Sequence, residues 1–185
     1  MYSVGHSNLA AEDFFTLLAR AGVRTVADVR AFPASRRHPH FAREALAQES
    51  AARGITYQWM PALGGRRHEG APRSPHVAWE VPAFRHYADT PAFAAALAEL
   101  ERVARAAPTA FMCAEALWWQ CHRRLIADRL LVGGWDVQHL GGGRLAPHRL
   151  PEFARIADGR IVYDRGATPA LPLDDGSNDA SSGRR

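Results

Sequence analysis

The segment Met112-Cys113-Ala114-Glu115-Ala116-Leu117-Trp118-Trp119-Gln120-Cys121-His122-Arg123-Arg124 gathers two thiols, a carboxylate, an imidazole and two guanidiniums within 13 residues. Its first half leaves an apolar, strand-like run and its second half opens a helix. Backbone N–H groups at a helix start attract anions, each contact being worth about 0.3–1 kcal/mol when exposed. Arg123 or Arg124 there would complete a site for phosphate or carboxylate. The same field would lower the pKa of Cys121 and raise its thiolate fraction. Two alternatives stay open. Cys113 and Cys121 also fit as small buried apolar side chains. Together with a histidine they also fit a metal centre, but zinc takes about four ligands and structural sites usually carry closely spaced Cys pairs. Here seven residues separate the cysteines, so a fourth ligand would have to come from His6 or Glu115.

Other groups could join this chemistry. Glu115 suits a general acid or base, and equally an ion pair with Arg30 or Arg123. Asp28 with Arg30 poses the same choice, since an Asp at a strand end often only caps a loop. His6, in the turn Gly5-His6-Ser7-Asn8, could relay protons at its reference pKa of about 6.5 or serve as a structural histidine. Arg30, Arg36, Arg37, His38, His40 and Arg43 crowd one loop, with no acid between Ala31 and Ala42. A second loop adds Arg66, Arg67, His68, Arg73 and His76 against Glu69 alone. Both read as electrostatic footprints for an anionic partner. Trp79, Trp118 and Trp119 could stack bases at about 1–3 kcal/mol each, or simply complete the core.

The elements that must position these residues follow from periodicity and punctuation. Tyr2–Gly5 reads as a first strand. Phe14, Leu17, Leu18 and Ala21 recur at helical spacing until Gly22. Thr25–Val29 is a second, β-branched strand, a helix spans about Phe41–Arg53, and Ile55–Met60 is a third strand. Pro61 to about Pro82 is long and irregular, as functional or disordered loops are. Thr90-Pro91 opens a helix with a capping hydroxyl and a proline at its first position; Phe93, Leu97, Leu100 and Ala104 form its buried face. Thr109–Cys113 is a fourth strand, Cys121–Gly133 a helix and Trp135–Leu140 a fifth strand. Asp158-Gly159 marks a hairpin between two late strands.

Such alternation predicts an α/β fold of three layers, with about five mostly parallel strands, helices on both faces and a small C-terminal β-hairpin. Residues 1–165 form one domain in this reading. Residues 166–185, rich in Pro, Asp, Ser and Gly, are expected to be a disordered tail. Ligands of such sheets bind at the carboxyl ends of the strands, where His6, Ser7, Asp28, Arg30 and Cys113 to Glu115 would meet.

Composition narrows the classes. A chain of 185 residues with 47% hydrophobic and 23% charged content is ordinary for a globular domain. No apolar run approaches the roughly 20 residues of a membrane span, and no basic leader with an apolar run opens the chain. Two cysteines inside one motif argue against a disulfide framework and for a reducing compartment, so a cytoplasmic location is expected. The net charge is +4, yet all 23 basic residues are Arg and none is Lys, so global basicity decides little.

Gly5-His6-Ser7-Asn8, Asp28-Val29-Arg30 with Pro33 and Ser35-Arg36, Leu63-Gly64-Gly65, and Cys113-Ala114-Glu115 through Cys121-His122-Arg123 together resemble the domain of unknown function 488 family, from the N-terminus to about Tyr163. The resemblance implies an α/β fold and a cytoplasmic bacterial-type protein, and no established reaction. Asp28-Val29-Arg30 and a strand–Cys–loop–helix arrangement followed by Gly141-Gly142 are more faintly similar to rhodanese-like domains. In those the loop after the cysteine is short and its amides encircle one anion. Here nine residues separate Cys113 from Arg123, and Glu115 would point a negative charge into the cradle, which argues against sulfur transfer or phosphatase chemistry at Cys113.

The leading expectation is an enzyme-like domain binding a phosphate-bearing ligand, a nucleotide or nucleic acid. Arg30, Arg36 and Arg123, with Ser7 and Asp28 nearby, would hold the ligand. Glu115 with His6 or His122 would move protons, and Cys113 or Cys121 would act as nucleophile or support. Its rivals are a non-catalytic, Arg-rich nucleic-acid-binding module and a metal-binding protein using Cys113, Cys121 and histidines.

Overall fold

The structure, a computed structural model, describes residues 1–34, 36–65, 87–141 and 144–164, residue 144 by its backbone alone. Residues 66–86, with the basic loop expected there, and the tail lie outside the described residues. Strands β1 (Tyr2–Gly5), β2 (Thr25–Asp28), β3 (Thr56–Trp59), β4 (Thr109–Cys113), β5 (Gln138–Gly141) and β6 (Arg144–Pro147) form one sheet in the order β3-β2-β4-β1-β5-β6. All neighbours are parallel except β5 and β6. Strands β7 (Ala154–Ala157) and β8 (Arg160–Tyr163) make a separate antiparallel hairpin. Its turn places Asp158 and Gly159 at φ 50° and 72°, which the two-residue hairpin geometry requires and Asp-Gly supplies.

Among the described residues four helices cover the sheet: α1 (Ala11–Arg20), α2 (Arg43–Ala52), α3 (Pro91–Ala106) and α4 (Arg123–Val132). Strand β4 shows how both faces are served. Ala110 and Met112 pack with Phe14, Phe15 and Leu18 of α1 and Leu46 of α2, while Phe111 and Cys113 pack with Phe93 and Leu100 of α3 and Ile126 of α4. Alternate residues of a strand point to opposite faces, so a strand covered on both sides must be apolar throughout. Each such Phe, Leu or Met contributes about 1.5–3 kcal/mol by leaving water. Helix α3 starts as its sequence dictates: Pro91 occupies the first turn and the Thr90 hydroxyl accepts the Phe93 N–H at 3.2 Å.

The departures from expectation are local. Strand β6 was not foreseen, because it is a short edge strand after a glycine run and ends in Pro147, which an edge tolerates. Helix α2 begins at Arg43 rather than Phe41; Pro39–Phe41 form a 3-10 turn that buries Phe41. Helix α4 likewise begins at Arg123, two residues late, after a 3-10 turn over Trp118–Gln120. On α1, Phe15 is buried and Leu17 only partly so. Among the described residues no helix is long and apolar enough to cross a membrane.

The chain's path places a crevice. After β2 it turns toward α2 on one face of the sheet, and after the adjacent β4 it turns toward α4 on the other. Neighbouring strands whose loops diverge in this way leave an opening at their carboxyl ends.

Candidate functional site

That opening is a cleft of about 430 Å³ lined by Arg30, Phe32, Cys113, Glu115, Cys121 and His122, among others. Parallel pairing brings its walls together. Asp28 is in register with Met112, and Gly5 with Cys113, so the ends of β1, β2 and β4 are level. The His6 and Ser7 N–H groups then donate to the carbonyls of Cys113 at 3.0 Å and Ala114 at 2.9 Å.

The two sulfurs meet at the cleft floor. Cys113 Sγ and Cys121 Sγ are 2.9 Å apart, both thiols are free of disulfide bonding, and both residues are buried. Each sulfur accepts a backbone N–H, from Glu115 at 3.3 Å and from Arg123 at 3.5 Å. His122 Nδ1 lies 3.5 Å from Cys121 Sγ, and His122 Nε2 donates to the Val29 carbonyl at 2.9 Å. With Nε2 carrying the proton, the Nδ1 lone pair faces the sulfur. A proton passing from Cys121 to Nδ1 leaves a thiolate that the Cys113 S–H then donates to. The hydrogen bond from Cys113, then His122 and the Arg123 charge, hold the Cys121 thiol well below its ordinary range. Burial, and sharing the negative charge with Cys121, push Cys113 up.

Arg123 builds the floor. Its side chain is 1% exposed; Nη2 donates to the Glu115 carbonyl at 2.5 Å and the Ala116 carbonyl at 3.3 Å, and Nη1 to Ser3 Oγ at 3.2 Å. Among the described residues no carboxylate lies within ion-pairing distance of it, and its charge is one of the causes that lower the Cys121 thiol. Gly5 makes room: a Cβ there would sit 1.9 Å from the Glu115 carbonyl oxygen and 2.7 Å from Arg123 Nη2.

The opposite wall is an ion pair on a histidine. Arg30 Nε and Nη2 grip the two oxygens of the fully buried Asp28 at 2.8 and 2.5 Å, and Tyr57 donates to Asp28 Oδ2 at 2.6 Å. His6 stacks on Phe41 at 4.1 Å, donates through Nδ1 to the Ser7 carbonyl and accepts from Arg30 Nη1 at 3.3 Å. Burial first, then the Arg30 charge, lower its pKa to about 4, so it stands neutral at pH 7.

The expected site residues are thus distributed as follows. Cys113, Cys121, His122, Glu115 and Arg30 share the cleft, with Asp28 and His6 directly behind Arg30. Arg123 lies beneath the floor, where its guanidinium donates to the Glu115 and Ala116 carbonyls and to Ser3. Ser7 lines a second cleft, between the ends of β1 and β5. Arg36 is exposed and does not line the first cleft. Glu115 contributes its backbone to both Cys113 and Arg123 while being itself exposed.

One buried constellation was missed by sequence reasoning. Tyr163 and His148 both donate to Asp128, each at 2.8 Å, and His139 Nε2 donates to His148 Nδ1 at 3.0 Å. Trp118 lies flat on His139 with ring centres 4.0 Å apart. The four polar residues come from α4, β5, the segment after β6, and β8, so no local spacing announces them. An Asp inside the apolar run of α4 was the single available hint.

Comparisons with known proteins place the chain. No curated protein and no solved structure matches it significantly, and a rhodanese-like relationship finds no support. The family model described as Domain of unknown function DUF488 matches residues 10–130, from the start of α1 almost to the end of α4, and so includes Arg30, Cys113, Glu115, Cys121 and His122 but not β1. The chain belongs to the DUF488 family.

Proposed function

We propose that the cleft is a metal-dependent site in which Cys113, Cys121 and His122 hold a thiophilic divalent cation of the zinc type, leaving one position open for a ligand. The observation that carries this reading is the His122 ring. Its Nε2–H is pinned to a backbone carbonyl and its Nδ1 is aimed at a pair of buried sulfurs, the outer-shell arrangement that orients a metal-binding imidazole. The three donor atoms lie within 4.8 Å of one another. A tetrahedral zinc with Zn–S near 2.3 Å and Zn–N near 2.0–2.1 Å sets an S···N edge of about 3.5 Å and an S···S edge of about 3.8 Å. The Cys121–His122 distance of 3.5 Å already fits. The sulfurs, at 2.9 Å, would part by about 0.9 Å on loading. Two thiolates balance the charge of a divalent ion, which suits a buried floor. Three protein ligands plus an open position is the pattern of catalytic rather than structural zinc.

Titrating the reduced, untagged chain with Zn²⁺ against a chromophoric chelator tests this. One ion per chain is expected, and Cys113→Ser, Cys121→Ser and His122→Gln should each weaken binding at least about tenfold. Binding that is absent, or indifferent to all three substitutions, contradicts it.

A phosphate-bearing ligand is the second reading, favoured by Arg30, which keeps a cationic group on the wall of the same cleft. It has less to draw on, because Arg30 is already gripped by Asp28 and Arg123 by carbonyls. The nucleic-acid module finds support in the exposed Arg36 and Arg37.

A further inference from the structure

We infer that Cys113 and Cys121 form a redox-active pair that closes reversibly to an intramolecular disulfide, with Cys121 as the attacking sulfur and Cys113 as the resolving one. The inference concerns the metal-free chain and goes beyond the metal reading. Its first support is contact: the sulfurs are 2.9 Å apart, so movement of less than 1 Å brings them to the bond length of about 2.05 Å. Its second is the division of roles. Cys121 lies two residues before α4, accepts the Arg123 N–H and has His122 Nδ1 at 3.5 Å to take its proton. Cys113 ends β4 and is the more deeply covered of the two, at 1% exposure against 4% for Cys121. Its third is position: both cysteines, though only 1% and 4% exposed, are among the residues lining the 430 Å³ cleft.

With a hydroperoxide as oxidant the steps balance. The Cys121 thiolate attacks one peroxide oxygen and the O–O bond breaks, leaving a sulfenic acid. The departing hydroxide takes the proton held on His122 and leaves as water. Cys113 sulfur then attacks Cys121 sulfur, the S–O bond breaks, and the second hydroxide leaves as water with the Cys113 proton. The net change is dithiol plus H₂O₂ to disulfide plus two waters. An external dithiol reverses it by exchange through a mixed disulfide.

The test uses the full chain, reduced and freed of metal by chelation, exposed to an equimolar amount of hydrogen peroxide. Both thiols should vanish from a denatured thiol count, the intact mass of the monomer should fall by two hydrogens, and dithiothreitol should restore both. In Cys113→Ser the reaction should stop at a Cys121 sulfenic acid trapped by a dimedone-type reagent, and Cys121→Ser should react at least about tenfold more slowly. The wild-type mass and thiol count need no variant to fold. Persistence of both thiols, or oxidation only to disulfides between chains, overturns the inference. Disulfide formation in a chain that binds no zinc would sink the metal reading alone, and zinc binding in a chain whose thiols resist peroxide would sink this one alone.

Discussion

Replacing Gly5 with alanine would drive a methyl group into the backbone that carries the thiol cluster. The new Cβ would lie 1.9 Å from the Glu115 carbonyl oxygen, and since contacts under 3.0 Å are not tolerated, that carbonyl must retreat by at least about 1.1 Å. The same peptide segment accepts from Arg123 Nη2 at 2.5 Å and donates to Cys113 Sγ at 3.3 Å. A hydrogen bond to a charged donor contributes about 1.5–3 kcal/mol, and leaving a buried guanidinium short of a partner adds to the loss. We expect Gly5→Ala to destabilise the chain by about 2–4 kcal/mol, a large part of the roughly 5–15 kcal/mol that domains possess. Urea unfolding followed by tryptophan fluorescence reads this directly. Gly133→Ala serves as control, because its Cβ would meet carbonyls at 3.3 Å and should cost less than about 1 kcal/mol. If Gly5→Ala unfolds at the same urea concentration as wild type, the close approach of β1 to the Cys113 loop is wrong, and so is the floor built on it.

Tyr163→Phe removes a donor from the buried Asp128 and should lower stability by about 1–2 kcal/mol in the same assay; no change would mean that β8 does not seat on α4. His6 should stay neutral until the pH nears 4. Because its pKa is lower in the folded than in the unfolded chain, the stability it contributes is complete above about pH 6.5 and declines as pH falls toward 4. An NMR titration of the His6 ring with a midpoint near 6.5 would refute its placement under Arg30.

Much of this architecture is legible in the sequence, for physical reasons. Strand–helix alternation, the Thr90-Pro91 start and the Asp158-Gly159 turn are local signals, each fixed by backbone chemistry within a few residues. Cys113, Cys121 and His122 are close in the chain, so their meeting follows once a strand end and a helix start flank the loop. The assignment of partners is what local signals miss. Arg123 looks like an anion-binding group at a helix start, but it points inward to Ser3, 120 residues away. Asp28 and Arg30 could each have faced a ligand, and only the register with β3 shows that Tyr57 closes the carboxylate off. The Asp128–His148–His139 chain is assembled wholly by tertiary packing. Helix α4 is buried on nearly all sides because the hairpin covers its outer face, which erases the amphipathic stripe that would have flagged Asp128.

X-ray absorption at the zinc edge of the reduced, zinc-loaded chain examines the centre itself. A four-coordinate ion is expected, with two sulfurs near 2.3 Å, one imidazole nitrogen near 2.0–2.1 Å and one further light atom. A coordination sphere of oxygen and nitrogen alone, or one of four sulfurs shared between two chains, would contradict it.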